Sequence, residues 1–523
     1  MEIKYMNSPI RISSNIAAGF IGKAVTLVIS LAFLPIYIDL LGIAAYGLIG
    51  FYTTLVVLLS VLDLGLSTTL NREMARLSTH PNSAREIRDT LRTYEIIYWL
   101  LGVILGIIVL LASQWLSQNW LTDVEISKEV IRQSVTLMGF VIALQWPIAL
   151  YSGALLGLQR QVWLNVILSV SAAIKAVGAV ILLTYVQQDI LTFFRWQAAS
   201  AAVTSLSLAY LAWKILPASV KGVRPRFKRE ILTTNWRFSA GMFGISIVVA
   251  VLTQLDKVIL SRGLSLQEFG FYSIASTAGV GLNFLVGPIF TSLFPRFTQL
   301  ASQGQEDSLR KLYHQACQLV SASVLPLSAT VIFFSSDILY LWFKEPETAE
   351  KTHLLLSLIA FGTTFNSLAN LPYALQLAFG WTKLSLYKNI IAVLVLTPLM
   401  KVFIFWWGAV GAAAAWILLN ASYVFVEVPV MHTRLLRGSL KRWYLVDIGG
   451  PMITSLSLAS ISRWLLPQGL TLLGTALWIF LTFLCAFIAS VLVMPATRAW
   501  LQIIFRNLGK TIGALLRQNV SKT

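Results

Sequence analysis

Four ionisable side chains stand inside stretches that are otherwise apolar: Lys23, Lys175, Lys401 and Glu427. A charge at membrane depth is costly, and it persists where it faces protein, water or a substrate. Three of the four are lysines, so the deep positions carry an excess of positive charge. A cavity built for cationic drugs would carry the opposite excess; a lysine-lined one favours an anion. Lysine also suits an anion that must be released again, because its ammonium is a mobile point charge rather than a bidentate clamp. Each residue has a plainer reading. Lys23 lies close to the end of its run and can snorkel. Lys401 is followed by Phe405, Trp406 and Trp407, which read as an interfacial aromatic belt. Glu427 can pair with a basic neighbour. Lys175 stands near the middle of its run and is the hardest to explain in this way. Asp63, Arg195, Asp256 and Lys257 sit near the ends of runs. With Arg72 and Glu427 they are candidates for gating or ion coupling, against an interfacial or structural role.

The elements that must position these residues are membrane spans. The chain is 57% hydrophobic and 12% charged, where a soluble domain carries about 25% charged residues. Apolar runs of about 20 residues or more, enough to cross a bilayer as helix, are expected at 17–40, 46–66, 94–116, 134–157, 164–186, 191–214, 238–260, 271–295, 315–341, 354–378, 387–406, 408–431, 444–466 and 470–494. The class expected is an all-α polytopic membrane protein of about fourteen transmembrane helices. The first run is too long for a signal-peptide core and reads as an uncleaved span. In it Gly19, Lys23, Thr26, Ser30 and Tyr37 recur at helical spacing, away from Leu27, Leu31 and Leu34. That stripe would line something wet. Polar stripes at Thr363-Asn366-Asn370-Tyr373 and Asn420-Tyr423-Glu427 either line a cavity or hold helices together. Pro147, Pro326, Pro372 and Pro398 permit mid-span bends.

The net charge of +18 belongs to loops rather than to a nucleic-acid surface. In the loops and at the span ends, nearly all Lys and Arg fall on one side, Lys388 among them. Only Lys128, Arg132, Lys257, Arg262, Lys344, Lys351 and Arg463 fall on the other. Cytoplasmic loops hold such charge, so both termini are expected in the cytoplasm. The longest basic loop, 215–237, bisects the first twelve spans. Around it the sequence repeats at an offset of about 224: Tyr46-Gly47 with Phe269-Gly270, Pro147-Ile148-Ala149-Leu150 with Pro372-Tyr373-Ala374-Leu375, Gly157 with Gly380, Asn165 with Asn389, and Lys175 with Lys401. Two six-helix halves entering the membrane in the same sense are related by an axis along the membrane normal. The expected organisation is an N-terminal lobe (1–214), a basic linker (215–237), a C-terminal lobe (238–432), two additional helices (433–494) and a basic amphipathic tail (495–523).

No phosphate-binding loop G-x-x-x-x-G-K-[ST] and no H-E-x-x-H occurs. His80, His314, His353 and His432 are scattered, and Cys317 and Cys485 both fall in apolar runs, so neither a metal site nor a disulfide framework is expected. No cofactor and no ATP dependence is expected. No outer loop exceeds about twenty residues, which leaves no room for the outer domain that a sugar polymerase or ligase would build its site on. Solute movement is the default reading.

Several short motifs, in this order and spacing, resemble a known family. They are Tyr46-Gly47-Leu48, Asp63-Leu64-Gly65-Leu66 before Arg72-Glu73, Gly157-Leu158-Gln159-Arg160 with Asn165, Gln254-Leu255-Asp256-Lys257 before Phe269-Gly270-Phe271-Tyr272, Phe294-Pro295-Arg296-Phe297, and Gly408-Ala409-Val410-Gly411-Ala412-Ala413. Up to about Leu440 the chain resembles the Wzx-type O-antigen flippases of the MATE-like (multidrug/oligosaccharidyl-lipid/polysaccharide) superfamily. The resemblance implies two six-helix lobes around a central cavity. It implies movement of an undecaprenyl-diphosphate-linked oligosaccharide from the inner to the outer leaflet of a bacterial plasma membrane. Its partners would be that lipid-linked sugar, membrane lipids and other polysaccharide-assembly proteins, with no nucleic acid. Lys23 matches, by position, the basic residues of the first helices thought to hold the diphosphate. The drug-exporting branch uses a carboxylate within the first helix, and this chain has only Asp39 at the end of that run. A multidrug or cation antiporter of the same fold, and a membrane enzyme of polysaccharide assembly, are the other readings.

Overall fold

A computed structural model describes residues 9–78, 83–121, 126–216 and 224–498. The expected tail after residue 498 lies outside the described residues, as do 217–223 of the linker. The described chain is helical, with no strand. In hydrocarbon every backbone N–H and C=O needs an internal partner, and a helix supplies one within each segment. Helices α1 (Pro9–Leu41), α2 (Ile43–Ser60), α3 (Leu66–Leu77), α4 (Ala84–Asn119), α5 (Lys128–Gln145), α6 (Pro147–Gly157), α7 (Gln161–Tyr185), α8 (Ile190–Ile215), α9 (Arg229–Gly263) and α10 (Leu266–Val280) are followed by α11 (Val286–Ser302), α12 (Glu306–Phe333), α13 (Ser335–Phe343), α14 (Pro346–Ala378), α15 (Thr382–Ser422), α16 (Val428–Leu435), α17 (Leu440–Arg442), α18 (Gly450–Trp464) and α19 (Leu472–Val493).

Among the described residues, 11 helices are long and apolar enough to cross a membrane, against the fourteen expected. One of them, Tyr387–Leu435, is 49 residues long and holds two expected spans, 387–406 and 408–431. It reverses at Gly408, whose φ of 55° and ψ of −133° are non-helical. The reversal is so tight that a Cβ on Gly411 would stand 2.1 Å from the Phe403 carbonyl oxygen. The first and seventh expected spans fall in α1 and α9, whose side chains are described only in part.

Several boundaries differ from expectation because local chemistry interrupts an apolar run. The span expected at 46–66 ends in a 3₁₀ turn at Val61–Asp63. Leu64 (φ 54°) and Gly65 (φ 69°) are then left-handed before α3 starts. A left-handed Leu costs about 1–2 kcal/mol, so this break is held by its surroundings. The span expected at 134–157 divides at Pro147, which opens α6 as its first residue, where a missing N–H is harmless. The span expected at 271–295 contains a 3₁₀ turn at Gly281–Leu285. The breaks at 61–65 and 281–285 stand about 220 residues apart, close to the repeat offset in the sequence. Pro326, Pro372 and Pro398 lie inside continuous helices.

The chain divides into two compact units, residues 1–273 and 274–523. In the first, α1 packs on α7, α4 on α5, α5 on α8 and α3 on α6. Small residues let backbones approach: Cβ atoms on Gly153 and Gly157 of α6 would meet the Ser67 and Asn71 carbonyl oxygens of α3 at 2.6 and 2.3 Å. We expect Gly157→Val to push α3 off α6 and cost about 1–3 kcal/mol, the usual range for overpacking. Thermal unfolding of the purified protein measures this; an unchanged midpoint refutes it. The linker is tied down where it is described. Arg226 N–H donates to Asp89 Oδ1 at 2.9 Å, Lys228 N–H donates to Thr93 Oγ1 at 3.0 Å, and Lys228 Nζ lies 3.0 Å from Asp89 Oδ2.

In the second unit, α12 and α14 pack together, α15 packs on α14, and the α18–α19 pair lies on α12. Phe297, Tyr313, Val320, Leu371, Met431 and Trp443 form part of its buried core.

Candidate functional site

The expected polar stripe of α1 divides in two. Tyr37 turns inward and its hydroxyl donates to the Ala176 carbonyl of α7 at 3.4 Å, so its polar group joins two helices. Thr26 and Ser30 are exposed, and their hydroxyls donate back to the Gly22 and Thr26 carbonyls, both at 2.9 Å. The side chain of Lys23 lies outside the described residues. Its neighbour Gly22 is buried against Asn165 of α7, whose Cβ would lie 2.9 Å from a Cβ at residue 22. The contacts Gly22–Asn165 and Tyr37–Ala176 show α1 and α7 running parallel. They place the backbone of Lys23 about nine residues below Lys175 along this seam, or about 14 Å at 1.5 Å per residue.

Lys175 is half-buried on α7. Its carbonyl accepts from Trp196 Nε1 of α8 at 3.0 Å, which fixes the backbone that carries it. Among the described residues its ammonium enters no ion pair. Lys401, its partner in the sequence repeat, is exposed on α15, seven residues before the turn at Gly408. Phe405, Trp406 and Trp407 beside it are exposed as well. The two lysines therefore differ in burial.

The gating and coupling candidates have distinct surroundings. Asp63 accepts from Ser67 N–H at 3.3 Å, from Ser67 Oγ at 2.8 Å, and from the Tyr98 hydroxyl. A carboxylate at the start of α3 satisfies donors that the helix leaves open and faces the positive end of its dipole. It holds the break at 61–65 and ties it to α4. Arg72 is exposed on α3; the adjacent Glu73 is buried and accepts from Arg76 Nε at 3.0 Å and Nη2 at 2.7 Å. Arg195 is exposed on α8. Asp256 is buried on α9 and accepts from the Tyr272 hydroxyl at 2.5 Å, while Lys257 is half-buried.

Glu427 is buried, and it has a basic neighbour: Lys388 donates to its Oε2, and Gln376 Nε2 donates to Oε1 at 2.9 Å. The Lys388 ammonium also lies over the rings of Tyr423 at 4.1 Å and Tyr373 at 5.5 Å. The loop-charge reading counted Lys388 as a cytoplasmic loop residue; the structure puts it inside α15, in a buried pair. The signal was available: Lys388 and Glu427 stand 20 and 19 residues on either side of Gly408, so a hairpin there must bring them level. The polar stripes of this unit join helices. Asn366 Nδ2 donates to Asn420 Oδ1 at 2.8 Å, and Trp416 Nε1 donates to Thr363 Oγ1 at 3.2 Å.

A second buried cluster was not read from the sequence. His314 of α12 pairs with Asp447, and Gln318 Nε2 donates to the other Asp447 oxygen at 2.8 Å. The Tyr313 hydroxyl lies 3.3 Å from His432 Nε2. His314 and Asp447 are 133 residues apart, and no local pattern links them.

Residues 12–301, more than half of the chain, match the family model for polysaccharide biosynthesis proteins, and residues 242–402 match the MatE model. A Shigella flexneri protein named for O-antigen transport is 22% identical over 399 residues, covering 73% of this chain and 90% of its own length. The lipopolysaccharide biosynthesis protein WzxC of Escherichia coli K12 is 24% identical over 264 residues, covering 50% of this chain and 52% of its own. Among solved structures, the lipid II flippase MurJ in an inward closed conformation superposes with a TM-score of 0.68 at 14% identity, covering 94% of this chain and 98% of that one. An inward-facing multidrug resistance MATE family transporter superposes with a TM-score of 0.61 at 14% identity, covering 84% and 97%. The fold is thus the all-helical one of the MATE-like superfamily, in a multi-pass membrane protein, and the chain belongs to the polysaccharide biosynthesis protein family.

Proposed function

We propose that the protein is a flippase: it carries a lipid-linked oligosaccharide, such as an O-antigen or capsule repeat unit on undecaprenyl diphosphate, from the cytoplasmic to the outer leaflet of a bacterial inner membrane. The observation that carries this reading is Lys175, half-buried on the α1–α7 seam with no carboxylate of the described residues against it. An anion crossing hydrocarbon must exchange water for compensating charge, and an unneutralised lysine offers it. Lys23 receives the diphosphate from the cytoplasmic side and passes it outward to Lys175 and Lys401. The names of the relatives, for O-antigen transport and lipopolysaccharide biosynthesis, agree with such a substrate. Drug export fits less well, because Asp39 at the end of α1 is that helix's only carboxylate. The protein works as a transporter rather than an enzyme. Both termini face the cytoplasm, and lobes 1–214 and 238–432 alternate in access across the linker.

The direct test is flipping of a defined lipid-linked oligosaccharide in liposomes by the purified protein, without ATP. No movement, or movement that stops when ATP is withdrawn, overturns the proposal. Alternating access has its own test. α2 and α10 touch about two turns into each helix: a Cβ on Gly50 would lie 2.9 Å from Ser273 Cβ, so a small outward shift there reaches the spacing of about 3.5–4.5 Å that a disulfide needs. Gly50→Cys with Ser273→Cys, in a background where Cys485 is replaced, is expected to crosslink on oxidation. Transport should then stop, and reductant should restore it. Full transport by the crosslinked protein rules out opening at this contact.

A further inference from the structure

Three connections of the second unit border one cleft on its basic side: the α11–α12 turn (303–305), the α14–α15 turn (379–381) and the end of α16 with the residues after it (434–437). The apolar part of its lining is Leu300, Leu309, Phe379 and Leu435, and the charged part is Arg434, Arg437 and Glu306. Glu306 is already engaged, because Arg310 Nη2 donates to its Oε1 at 3.1 Å. Among the described residues neither Arg434 nor Arg437 pairs with a carboxylate. The cleft is left with the positive charge of both arginines. The two guanidinium groups are also held in place. Arg434 Cζ lies 4.4 Å from the centre of the Trp381 ring, and stacking occupies the face of a guanidinium while its N–H donors stay at the edge. Arg437 Nε donates to the Thr433 carbonyl at 3.2 Å, and the Arg437 carbonyl accepts from Arg310 Nη1 at 3.2 Å. Those bonds fix the residue and use neither of its Nη groups. A loop cation that serves only orientation needs no such placement.

We propose that this cleft binds a phosphate monoester or diphosphate group presented from the basic side of the membrane. The donors and the charge select phosphate over carboxylate. A carboxylate has a single pair of oxygens and a single charge, which one arginine fork satisfies. Two forks with two uncompensated charges match a group with more oxygens and a charge of about −1.5 to −2, which a phosphate monoester carries at neutral pH. Leu300, Leu309, Phe379 and Leu435 carry no polar side-chain atom, so whatever the phosphate is attached to meets apolar surface. Two sources carry this chemistry: the headgroup of an anionic lipid in the adjoining leaflet, and a soluble phosphorylated molecule. The site shares no residue with the path through Lys23, Lys175 and Lys401, and it stands whether or not that path carries an anion.

The test is protection from phenylglyoxal, an arginine reagent, read by peptide mass spectrometry on the full-length protein in phosphatidylcholine nanodiscs. Inorganic diphosphate and phenyl phosphate in the buffer should each slow modification of Arg434 and Arg437 severalfold, while the exposed Arg224 and Arg229 react at an unchanged rate. Phosphatidic acid built into the nanodisc is the lipid arm. Protection by the buffer ligands shows a site open to soluble phosphates, and protection by phosphatidic acid alone shows a headgroup site; either supports the proposal. Succinate, a dicarboxylate, should protect more weakly than diphosphate at equal concentration. Arg434→Gln should raise the ligand concentration that half-protects Arg437 by about tenfold, the loss of one charged bidentate contact. Arg437→Gln should do the same for Arg434, and both variants should keep the melting curve, since neither guanidinium neutralises a carboxylate of the described residues. No protection by any of the three phosphates, equal protection by succinate, equal protection of Arg224 and Arg229, or full protection of the remaining arginine in both variants overturns the proposal.

Discussion

Replacing Lys175 by alanine is expected to abolish export of surface polysaccharide, or to lower it at least tenfold, in cells where the variant is inserted normally. The reason is the combination of depth and isolation. Lys175 lies 14 residues into α7, about 21 Å from its start at helical rise. It is half-buried and, among the described residues, carries no counter-charge. A diphosphate stripped of water loses several kcal/mol per charge unless the path replaces it. The membrane potential assists outward movement by about 2.3 kcal/mol per charge per 100 mV, which helps only once a site has admitted the anion. Arginine at 175 keeps the charge but binds in one planar geometry, so partial retention is expected. The fold should survive the alanine change, since no partner is orphaned. Lys401→Ala reports on a different environment, seven residues from the turn and among exposed aromatic rings. Comparing the two variants shows whether the lysines related by the repeat share one path. A folded, inserted Lys175→Ala protein with normal surface polysaccharide returns Lys175 to a structural role.

The second large effect is on stability. Asp447→Ala is expected to lower the unfolding free energy by about 3 kcal/mol, at the lower end of the cost of breaking a buried pair. Asp447 holds His314 and Gln318 of α12 at once, and Gln318 Oε1 accepts from the Ala496 N–H beyond α19 at 2.9 Å. The α18–α19 pair is therefore fastened to α12 at both of its chain ends. Losing the carboxylate should lower the melting temperature and expose the 436–439 connection to protease before the rest of the chain. Asp447→Asn, which retains hydrogen bonding, should cost less. A melting curve and digestion pattern unchanged in Asp447→Ala would mean that packing alone holds the pair.

What the sequence could decide is what a membrane makes local. A window of about 20 apolar residues is enough to require helix, because no other backbone satisfies itself in lipid. The helical class and the reversal at Gly408 follow from short stretches of chain. The depth of Lys175 in its run was legible in the same way, as was the positive excess at deep positions. Charge partners were not. Lys388 reads as a loop cation until the hairpin sets it level with Glu427. His314 and Asp447 meet only because α18 lies on α12. Hydropathy is a sum over neighbours in sequence, whereas the state of a buried charge is set by atoms within about 4 Å of it, which here come from helices tens to more than a hundred residues away.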